Sequence, residues 1–254
     1  MAQDGQAGKQ QKMRVVFVGI GGATCSGKTT LAKHLRSILP GSVILHQDDF
    51  APIRETGIIP PEHYSHDHLN EQKEVPVEQK RLDRWREVFT RIQQKHEEAG
   101  ETLIWVMVDG FLLYWDKEVV DALDVRVMLR VPHDVLKHRR HERHGYHTAD
   151  PDVLPPSLTP SYPPDCLNNP TLLCAFSSGV QTDPEGALWR DPPHYWEQIV
   201  WPAYVRAHEK IFENGDVENG KSNGTVEGLV LVEGLQQSMG DIIDLVCERL
   251  VEVA

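Results

Sequence analysis

The residues with the most specific chemistry in this 254-residue sequence form one run near its amino terminus, Gly22-Ala23-Thr24-Cys25-Ser26-Gly27-Lys28-Thr29, with Thr30 directly after it. The run fits the pattern G-x-x-x-x-G-K-[S/T] without a mismatch. Glycines allow backbone N–H groups to converge on phosphate oxygens, and the positive end of the following helix adds to the attraction. The spacing places Lys28 to reach the β- and γ-phosphates and the Thr29 hydroxyl to bind Mg²⁺. These residues therefore predict a binding site for a nucleoside triphosphate.

Two predicted elements position this loop. A β-branched run at residues 14–20 precedes it and is short enough for a buried strand. Leu31, Leu35 and Ile38 follow it at helical spacing, and Pro40-Gly41 ends that helix. A glycine-rich turn that arose by chance is the alternative interpretation. A chance turn would have no reason to lie between a strand and a helix and to end in a Lys-Thr pair. We therefore favour the phosphate-binding loop.

Acidic residues follow the next two predicted strands. Asp48 and Asp49 come just after the apolar residues 42–45, and Asp109 closes the apolar run at residues 102–108. Ligands of open α/β sheets bind at the carboxyl ends of the strands. One carboxylate there can accept the proton of an acceptor hydroxyl, and another can hold Mg²⁺. We therefore predict Asp48 as the general base, with Asp49 as the second choice, and Asp109 as the second carboxylate.

A basic helix is predicted at residues 133–145, after a fourth strand at residues 125–131. It contains Arg139, Arg140 and Arg143, and the first and last of these share a helix face because they are four residues apart. An arginine-rich lid over the transferring phosphoryl group is what a small-molecule kinase needs. An ordinary solvated basic helix is the alternative, and the loop upstream favours the lid.

Two other classes of phosphate-loop protein fit the sequence less well. A switch GTPase reads guanine with an N-K-x-D motif, and no Asn in this chain is followed by Lys. A motor ATPase works within larger assemblies and needs no loop that binds an acceptor. A small-molecule kinase uses the two carboxylates and the arginines together, so this class is favoured.

The alternation of strands and helices predicts an α/β fold with a parallel sheet covered on both faces. Further helices are predicted at residues 77–98, 191–212 and 236–251, and a last strand at residues 229–232. Tyr195, Trp196, Trp201 and Tyr204 recur at helical spacing, which is typical of core packing. We expect a disordered tail at residues 1–13 and one kinase domain at residues 14–254. Within that domain, residues 51–76 are predicted to be irregular, and the Pro- and Ser-rich residues 151–182 to be a disordered insertion.

Composition restricts the partners. Asp and Glu number 38 against 26 Lys and Arg, so the net charge is −12, which disfavours nucleic acid and anionic membranes as partners. No apolar run approaches the roughly 18 residues of a membrane span, and the first twelve residues are polar. The four cysteines form no C-x-x-C pair, which favours a reducing compartment. We expect a cytoplasmic monomer that acts on a small molecule.

Five segments together resemble nicotinamide riboside kinases, particularly the fungal enzymes. The segments are GATCSGKTTLAKHL, HQDDF, VDGFLLY, HRRHERHGY and DPPHYWEQIVWPAYVRAHEKIF. The resemblance implies a uridine-kinase-like P-loop fold with a five-stranded parallel sheet and an Arg-rich helical lid. It also implies transfer of the γ-phosphoryl group of ATP to the ribose 5′-hydroxyl of nicotinamide riboside, with Mg²⁺, to give nicotinamide mononucleotide for NAD synthesis.

The resemblance further implies roles for individual residues. Asp48 would be the base and a carboxylate associated with Mg²⁺, Thr29 the direct metal ligand, and Asp109 a residue of the metal shell. Arg139 and Arg143 would contact ATP from the lid, and residues 22–30 would hold its phosphates. The residues assigned to the remaining contacts are Glu233, Gly234 and Leu235 beside the adenine, and Asp49, Phe50, Arg140 and Tyr146 on the substrate side.

Two features depart from the family pattern. Residues 151–182 have no counterpart in it, so they are either a loop specific to this lineage or an error of the gene model. The other departure follows the QDDF motif. Family members carry an aromatic residue and an Asp beyond the QDDF motif, and that Asp grips the ribose hydroxyls. In this chain the motif runs through Ala51-Pro52 into Ile53-Arg54, and the nearby carboxylates are Asp67 and Glu74. Two alternatives therefore stay open beside the first: a uridine- or cytidine-type nucleoside kinase, and an ATP-binding protein with an impaired acceptor site.

Overall fold

A computed structural model describes residues 12–50, 75–142, 146–148, 189–191 and 194–254. Its centre is the predicted parallel sheet of five strands, which are β1 (Lys12–Gly22), β2 (Ser42–His46), β3 (Glu101–Gly110), β4 (Val125–Arg130) and β7 (Leu229–Glu233). Their order in the sheet is β2-β3-β1-β4-β7, and every neighbouring pair is parallel. Two short strands, β5 (Tyr146–Thr148) and β6 (Trp189–Asp191), form a separate parallel pair. The predicted α/β class and the five-stranded sheet are confirmed.

The described helices are α1 (Lys28–Ile38), α2 (Gln79–Glu98), α3 (Lys117–Ala122), α4 (His133–Glu142), α5 (Trp201–His208) and α6 (Met239–Val253). A 3₁₀ turn at Gln47–Phe50 follows β2, and a π-helix at Trp196–Val200 leads into α5. Within these ranges, none of the helices has both the length and the apolar character that a bilayer crossing requires.

One hydrophobic core lies between the sheet and helices α1, α2 and α6. Alternate residues of β1, namely Val16, Val18 and Ile20, are almost fully buried in it. In the same core Phe89 of α2 packs edge-on against Trp105 of β3, with ring centroids 5.4 Å apart. The buried, alternating side chains of the strands therefore pack against the apolar faces of the helices, as the sequence pattern predicts.

A second core forms around α4, α5 and the segment after β3. Gly21 allows the Tyr114 ring to lie against β1, since a Cβ at residue 21 would be 2.4 Å from that ring. The Tyr114 hydroxyl lies 2.7 Å from the carbonyl oxygen of Val127, so its polar end is satisfied in the core. Trp196 and Tyr204 are each 2% exposed, which confirms that the aromatic run packs in the core.

Several boundaries differ from the sequence prediction. β1 begins at Lys12, inside the expected tail, because Lys12 pairs with Glu101 at 2.8 Å and extends the ladder to β3. The last helix begins at Met239 because Ser238 and Asp241 form a capping box. Helix α3 and the β5–β6 pair are absent from the sequence prediction. Residues 51–74 and 151–182 lie outside the described residues, so the irregular segment and the insertion stay predictions.

A buried histidine in the second core leads to a stability prediction. His208 is fully buried, and its Nδ1–H donates to the carbonyl oxygen of Tyr204 at 2.8 Å, while no described residue pairs with Nε2. Burial lowers the pKa of His208 to about 4, and the bond to Tyr204 only partly opposes this. Because the unfolded chain binds this proton at about pH 6.5, stability is full above that pH and falls toward pH 4 by up to about 1.4 kcal/mol per pH unit.

His208→Phe, which keeps a ring beside Tyr204, should flatten this dependence in denaturant unfolding measured between pH 7 and pH 5. The exposed His138 provides the control, and His138→Phe should leave the slope as in the wild type. An unchanged slope in the His208 variant would show that other groups control the acid sensitivity.

Candidate functional site

The phosphate-binding loop joins β1 to α1 at the carboxyl edge of the sheet. Gly22 has φ +141° and Gly27 has φ +102°, conformations that side chains rarely adopt. A Cβ at Gly22 would lie 2.5 Å from the carbonyl oxygen of Leu129 in β4, so only glycine fits there. Ser26 is buried, and its backbone N–H donates to the carbonyl of Ala23, which closes a turn within the loop. The predicted loop is thus present with the backbone shape that its glycines require.

Gly22→Ala should weaken ADP binding by at least about 10-fold, because the added methyl group displaces the loop from β4. Gly100→Ala is a matched control, since Gly100 also has positive φ (+77°) but has open space around its Cβ position and lies at the end of α2. The control should lose about 1 kcal/mol of stability and keep its ADP affinity. Calorimetric titration with ADP compares the two, and equal affinities would contradict the role of Gly22.

Lys28 is the first residue of α1 and folds back over the loop. Its Nζ donates to the carbonyl oxygen of Ala23 at 2.9 Å, so the ammonium group spans the loop from one side to the other. The helix amino terminus beside it adds partial positive charge. The ammonium group is therefore held at the loop already, and a bound phosphate group could replace the Ala23 carbonyl as its partner.

Thr29 and Asp109 form the second part of the site. The Thr29 hydroxyl donates to Oδ2 of Asp109 at 2.6 Å, and this bond joins α1 to the end of β3. The carboxylate is 5% exposed. Burial opposes its ionisation, but hydrogen bonds from His46 and Thr29 and the charge of Lys28 outweigh burial and hold the pKa of Asp109 below its ordinary value. Asp109 is therefore an anion at neutral pH, as a metal-shell carboxylate must be.

Two side chains of the site are missing from the sequence prediction. Nδ1 of His46 lies 3.3 Å from Oδ2 of Asp109, and the two residues are register partners at the ends of β2 and β3. Oε1 of Gln47 accepts the backbone N–H of Leu112 at 2.9 Å, and a Cβ at Gly110 would lie 2.7 Å from the same oxygen. Both residues directly precede Asp48 and Asp49 in the sequence, and this position was the signal by which the sequence could have identified them as site residues.

Asp48 lies in the 3₁₀ turn that follows β2, and its side chain is exposed. The turn contacts β2 and β3, which brings Asp48 to the same edge of the sheet as Asp109. An exposed carboxylate at this edge can reach a bound substrate without breaking a contact in the core. Asp49 and Phe50 belong to the same turn, and their side chains are outside the described residues.

Two arginines of α4, the helix predicted to be a lid, contact the loop directly. Nη1 of Arg139 donates to the carbonyl oxygen of Cys25 at 3.3 Å, and Nη1 of Arg140 donates to the Thr24 hydroxyl at 3.2 Å. Arg140 is 8% exposed, so a guanidinium charge is held close to the loop. The structure therefore brings α4 and the phosphate loop together, as a lid requires. Arg143 and the Tyr146 side chain lie outside the described residues.

The segment after β7 lies beside the same loop. Gly234 donates its N–H to the carbonyl of Arg130 at 2.8 Å, and its Cβ position is 4.0 Å from the Ser26 carbonyl oxygen. Glu233 forms an ion pair with Arg130, which sequence reasoning missed, and its carboxylate is directed at that arginine. Leu235 is 50% exposed and offers the apolar surface of this segment. This segment therefore lies beside the phosphate loop, and its contact with the adenine stays a prediction.

The donor atoms at this edge fit Mg²⁺. In the part of the chain that the structure describes, no three or more His, Cys, Asp or Glu side chains form a group that could hold a metal by themselves. Thr29 and Asp109 instead offer a hydroxyl and a carboxylate, both hard oxygen donors, beside a loop built for phosphate. Mg²⁺ in nucleotide enzymes is held in this way, by one or two protein oxygens together with phosphate oxygens and water.

Comparison with known proteins shows that this chain is similar to nicotinamide riboside kinases. Nicotinamide riboside kinase of Schizosaccharomyces pombe is 28% identical over 235 residues, which cover 80% of this chain and 84% of that protein. The Saccharomyces cerevisiae enzyme of the same name is 24% identical over 81% of this chain and 82% of its own length. Nicotinamide riboside kinase 1 of Rattus norvegicus is 31% identical over 78% and 81% of the two chains. No family model matches the sequence.

Proposed function

Because this chain belongs to the nicotinamide riboside kinase family, we propose that it transfers the γ-phosphoryl group of ATP to the 5′-hydroxyl of nicotinamide riboside. The products are nicotinamide mononucleotide and ADP. The observation that supports this most directly is the 31% identity to the rat enzyme across four fifths of both chains. The Thr29–Asp109 pair behind the phosphate loop also supports it, because the two side chains offer oxygen donors suited to Mg²⁺.

In this reaction the 5′-oxygen of the nucleoside forms a bond to the γ-phosphorus, and the bond from that phosphorus to the β,γ-bridging oxygen breaks. The electron pair of the broken bond leaves with ADP. The proton of the attacking hydroxyl passes to a carboxylate, and we assign that role to Asp48 because it is exposed at the carboxyl edge of the sheet. Asp49, in the same turn, is the second candidate.

Lys28 and the start of α1 would stabilise the negative charge of the phosphoryl group during transfer. The ammonium group is held at the loop before substrate arrives, so little reorganisation is needed when charge develops there. Mg²⁺, when bound, would supply a further cation that neutralises charge on the β- and γ-phosphates. Thr29 would bind that ion through its hydroxyl oxygen, and Asp109 would hold the Thr29 hydroxyl in place.

Arg139 and Arg140 would close the site from the lid. Their guanidinium groups already contact the carbonyl of Cys25 and the hydroxyl of Thr24, so both cations lie within the reach of a nucleotide bound to the loop. A lid in this position excludes water, which would otherwise accept the phosphoryl group in place of the nucleoside.

We also infer a cytoplasmic monomer that has neither nucleic acid nor membrane as a partner. The net charge of −12 supports the exclusion of nucleic acid and anionic membranes, because both are anionic and would repel the chain. Light scattering after size exclusion should give a mass close to 28.8 kDa. A mass near twice that value would contradict the monomer.

The proposed substrate is tested by kcat/KM for nicotinamide riboside, uridine and cytidine at fixed ATP and Mg²⁺. We expect nicotinamide riboside to be phosphorylated at least ~10-fold more efficiently, a difference that corresponds to about 1.4 kcal/mol. Higher efficiency with uridine or cytidine would favour the pyrimidine nucleoside kinase. ADP binding without phosphorylation of any nucleoside would favour a protein with an impaired acceptor site.

A further inference from the structure

Two donors meet at one oxygen of Asp109. Oδ2 accepts the Thr29 hydroxyl at 2.6 Å and lies 3.3 Å from Nδ1 of His46. An ionised carboxylate only accepts hydrogen bonds, so Nδ1 of His46 carries the hydrogen in this contact. His46, Asp109 and Thr29 therefore form a row of three side chains that begins at the end of β2 and ends at the phosphate loop.

The direction of the Thr29 hydroxyl decides whether it can hold a metal ion. Its hydrogen is directed at Oδ2 of Asp109, so the lone pairs of Oγ1 point elsewhere and are free for a cation. Rotation of the Asp109 carboxylate would release that hydrogen and spoil the orientation. Donors behind a ligand of this kind fix its geometry and affect metal affinity strongly.

We propose that His46 is a positioning residue for the Mg²⁺–nucleotide site. Its imidazole N–H holds the Asp109 carboxylate in the rotamer that orients the Thr29 hydroxyl toward the metal. This inference rests on the proposed function only in that the loop binds a Mg²⁺–nucleotide, and it is independent of which nucleoside accepts the phosphoryl group.

A role of His46 in holding β2 against β3 is the competing explanation. Backbone pairing already joins these strands in continuous register from Ser42↔Trp105 to His46↔Asp109. Gln47 adds a further tie, from its side chain to the backbone of Leu112. The strands therefore have other attachments at this edge, and the His46 imidazole is directed at Asp109, the carboxylate that accepts the Thr29 hydroxyl.

The test compares His46→Leu, which removes the donor, with His46→Asn, whose side-chain N–H₂ stands at the position of Nδ1. ADP binding is measured by calorimetry with Mg²⁺ and again with EDTA. We expect the leucine variant to bind Mg²⁺–ADP about 10-fold more weakly and metal-free ADP as the wild type does. The asparagine variant should recover most of the lost affinity. Should the leucine variant not fold, His46→Ala removes the same donor.

Asp109→Asn completes a double-mutant cycle. If His46 acts through Asp109, adding His46→Leu to Asp109→Asn should cause no further loss of Mg²⁺–ADP affinity. Equal weakening of metal-free and Mg²⁺-bound ADP, failure of asparagine to recover the affinity, or additive losses in the cycle would each overturn the inference. The titrations contain no acceptor, so failure to phosphorylate nicotinamide riboside would refute the proposed function and leave this result intact.

Discussion

Replacing Lys28 by alanine is expected to lower kcat by at least ~10²-fold while the chain stays folded. The Lys28 side chain is half-buried and donates to the Ala23 carbonyl at the loop, so its removal should leave the hydrophobic packing of both cores intact. In the proposed mechanism this change removes a cation that would stabilise the negative charge of the transferring phosphoryl group. Single-turnover kinetics with ATP and nicotinamide riboside measure this loss directly, and circular dichroism verifies the fold.

Lys95→Ala is the matched control for this change. Lys95 is exposed in the last turn of α2, away from the loop, and carries the same charge. It should leave kcat unchanged, which separates a local effect at the loop from a change in net charge. If Lys28→Ala kept a kcat near that of the wild type, the loop would not take part in catalysis.

Asp48→Asn is expected to lower kcat by ~10²- to 10⁴-fold, with a much smaller effect on ATP binding. The substitution keeps the shape of the side chain and removes its ability to accept a proton from the acceptor hydroxyl. Because Asp48 is exposed at the end of the sheet, its replacement should not change stability by more than about 0.5 kcal/mol. Steady-state kinetics with varied ATP and nicotinamide riboside separate the two effects.

Asp49→Asn is the natural comparison, since Asp49 is the adjacent carboxylate in the same 3₁₀ turn. A small effect there, beside a large effect at Asp48, would support the assignment of the base. The opposite pattern, with Asp49→Asn inactive and Asp48→Asn active, would exchange the two roles.

The parts of the site that the sequence predicted are contiguous in the chain or lie at strand ends. The loop at residues 22–29 is local, so its pattern contains nearly all the information that its fold needs. Asp109 was predictable because a charge at the end of an apolar run must find a partner. Both were found where expected, at the carboxyl edge of the parallel sheet.

The parts that the sequence did not predict depend on register and packing. His46 contacts Asp109 because β2 and β3 pair with these two residues side by side, a relation that only the assembled sheet fixes. Arg130 and Glu233 pair across β4 and β7 for the same reason. Helix α3, six residues long, has too short a pattern for periodicity to detect.

The acceptor side of the site could be predicted only in part. Arg140 donates to the Thr24 hydroxyl of the loop, and its expected place on the side of the nucleoside stays a prediction. Arg143 and the carboxylates Asp67 and Glu74 lie outside the described residues. The contacts with the ribose therefore depend on the family relationship and on the kinetic comparison of nucleosides.

The most direct test of the account is to follow the label from [γ-³²P]ATP in a reaction with nicotinamide riboside. The label is expected in nicotinamide mononucleotide at its 5′-phosphate, with one ADP formed for each mononucleotide, and Lys28→Ala should slow the formation of both products by at least ~10²-fold. Release of labelled inorganic phosphate, with no label in the mononucleotide, would contradict it.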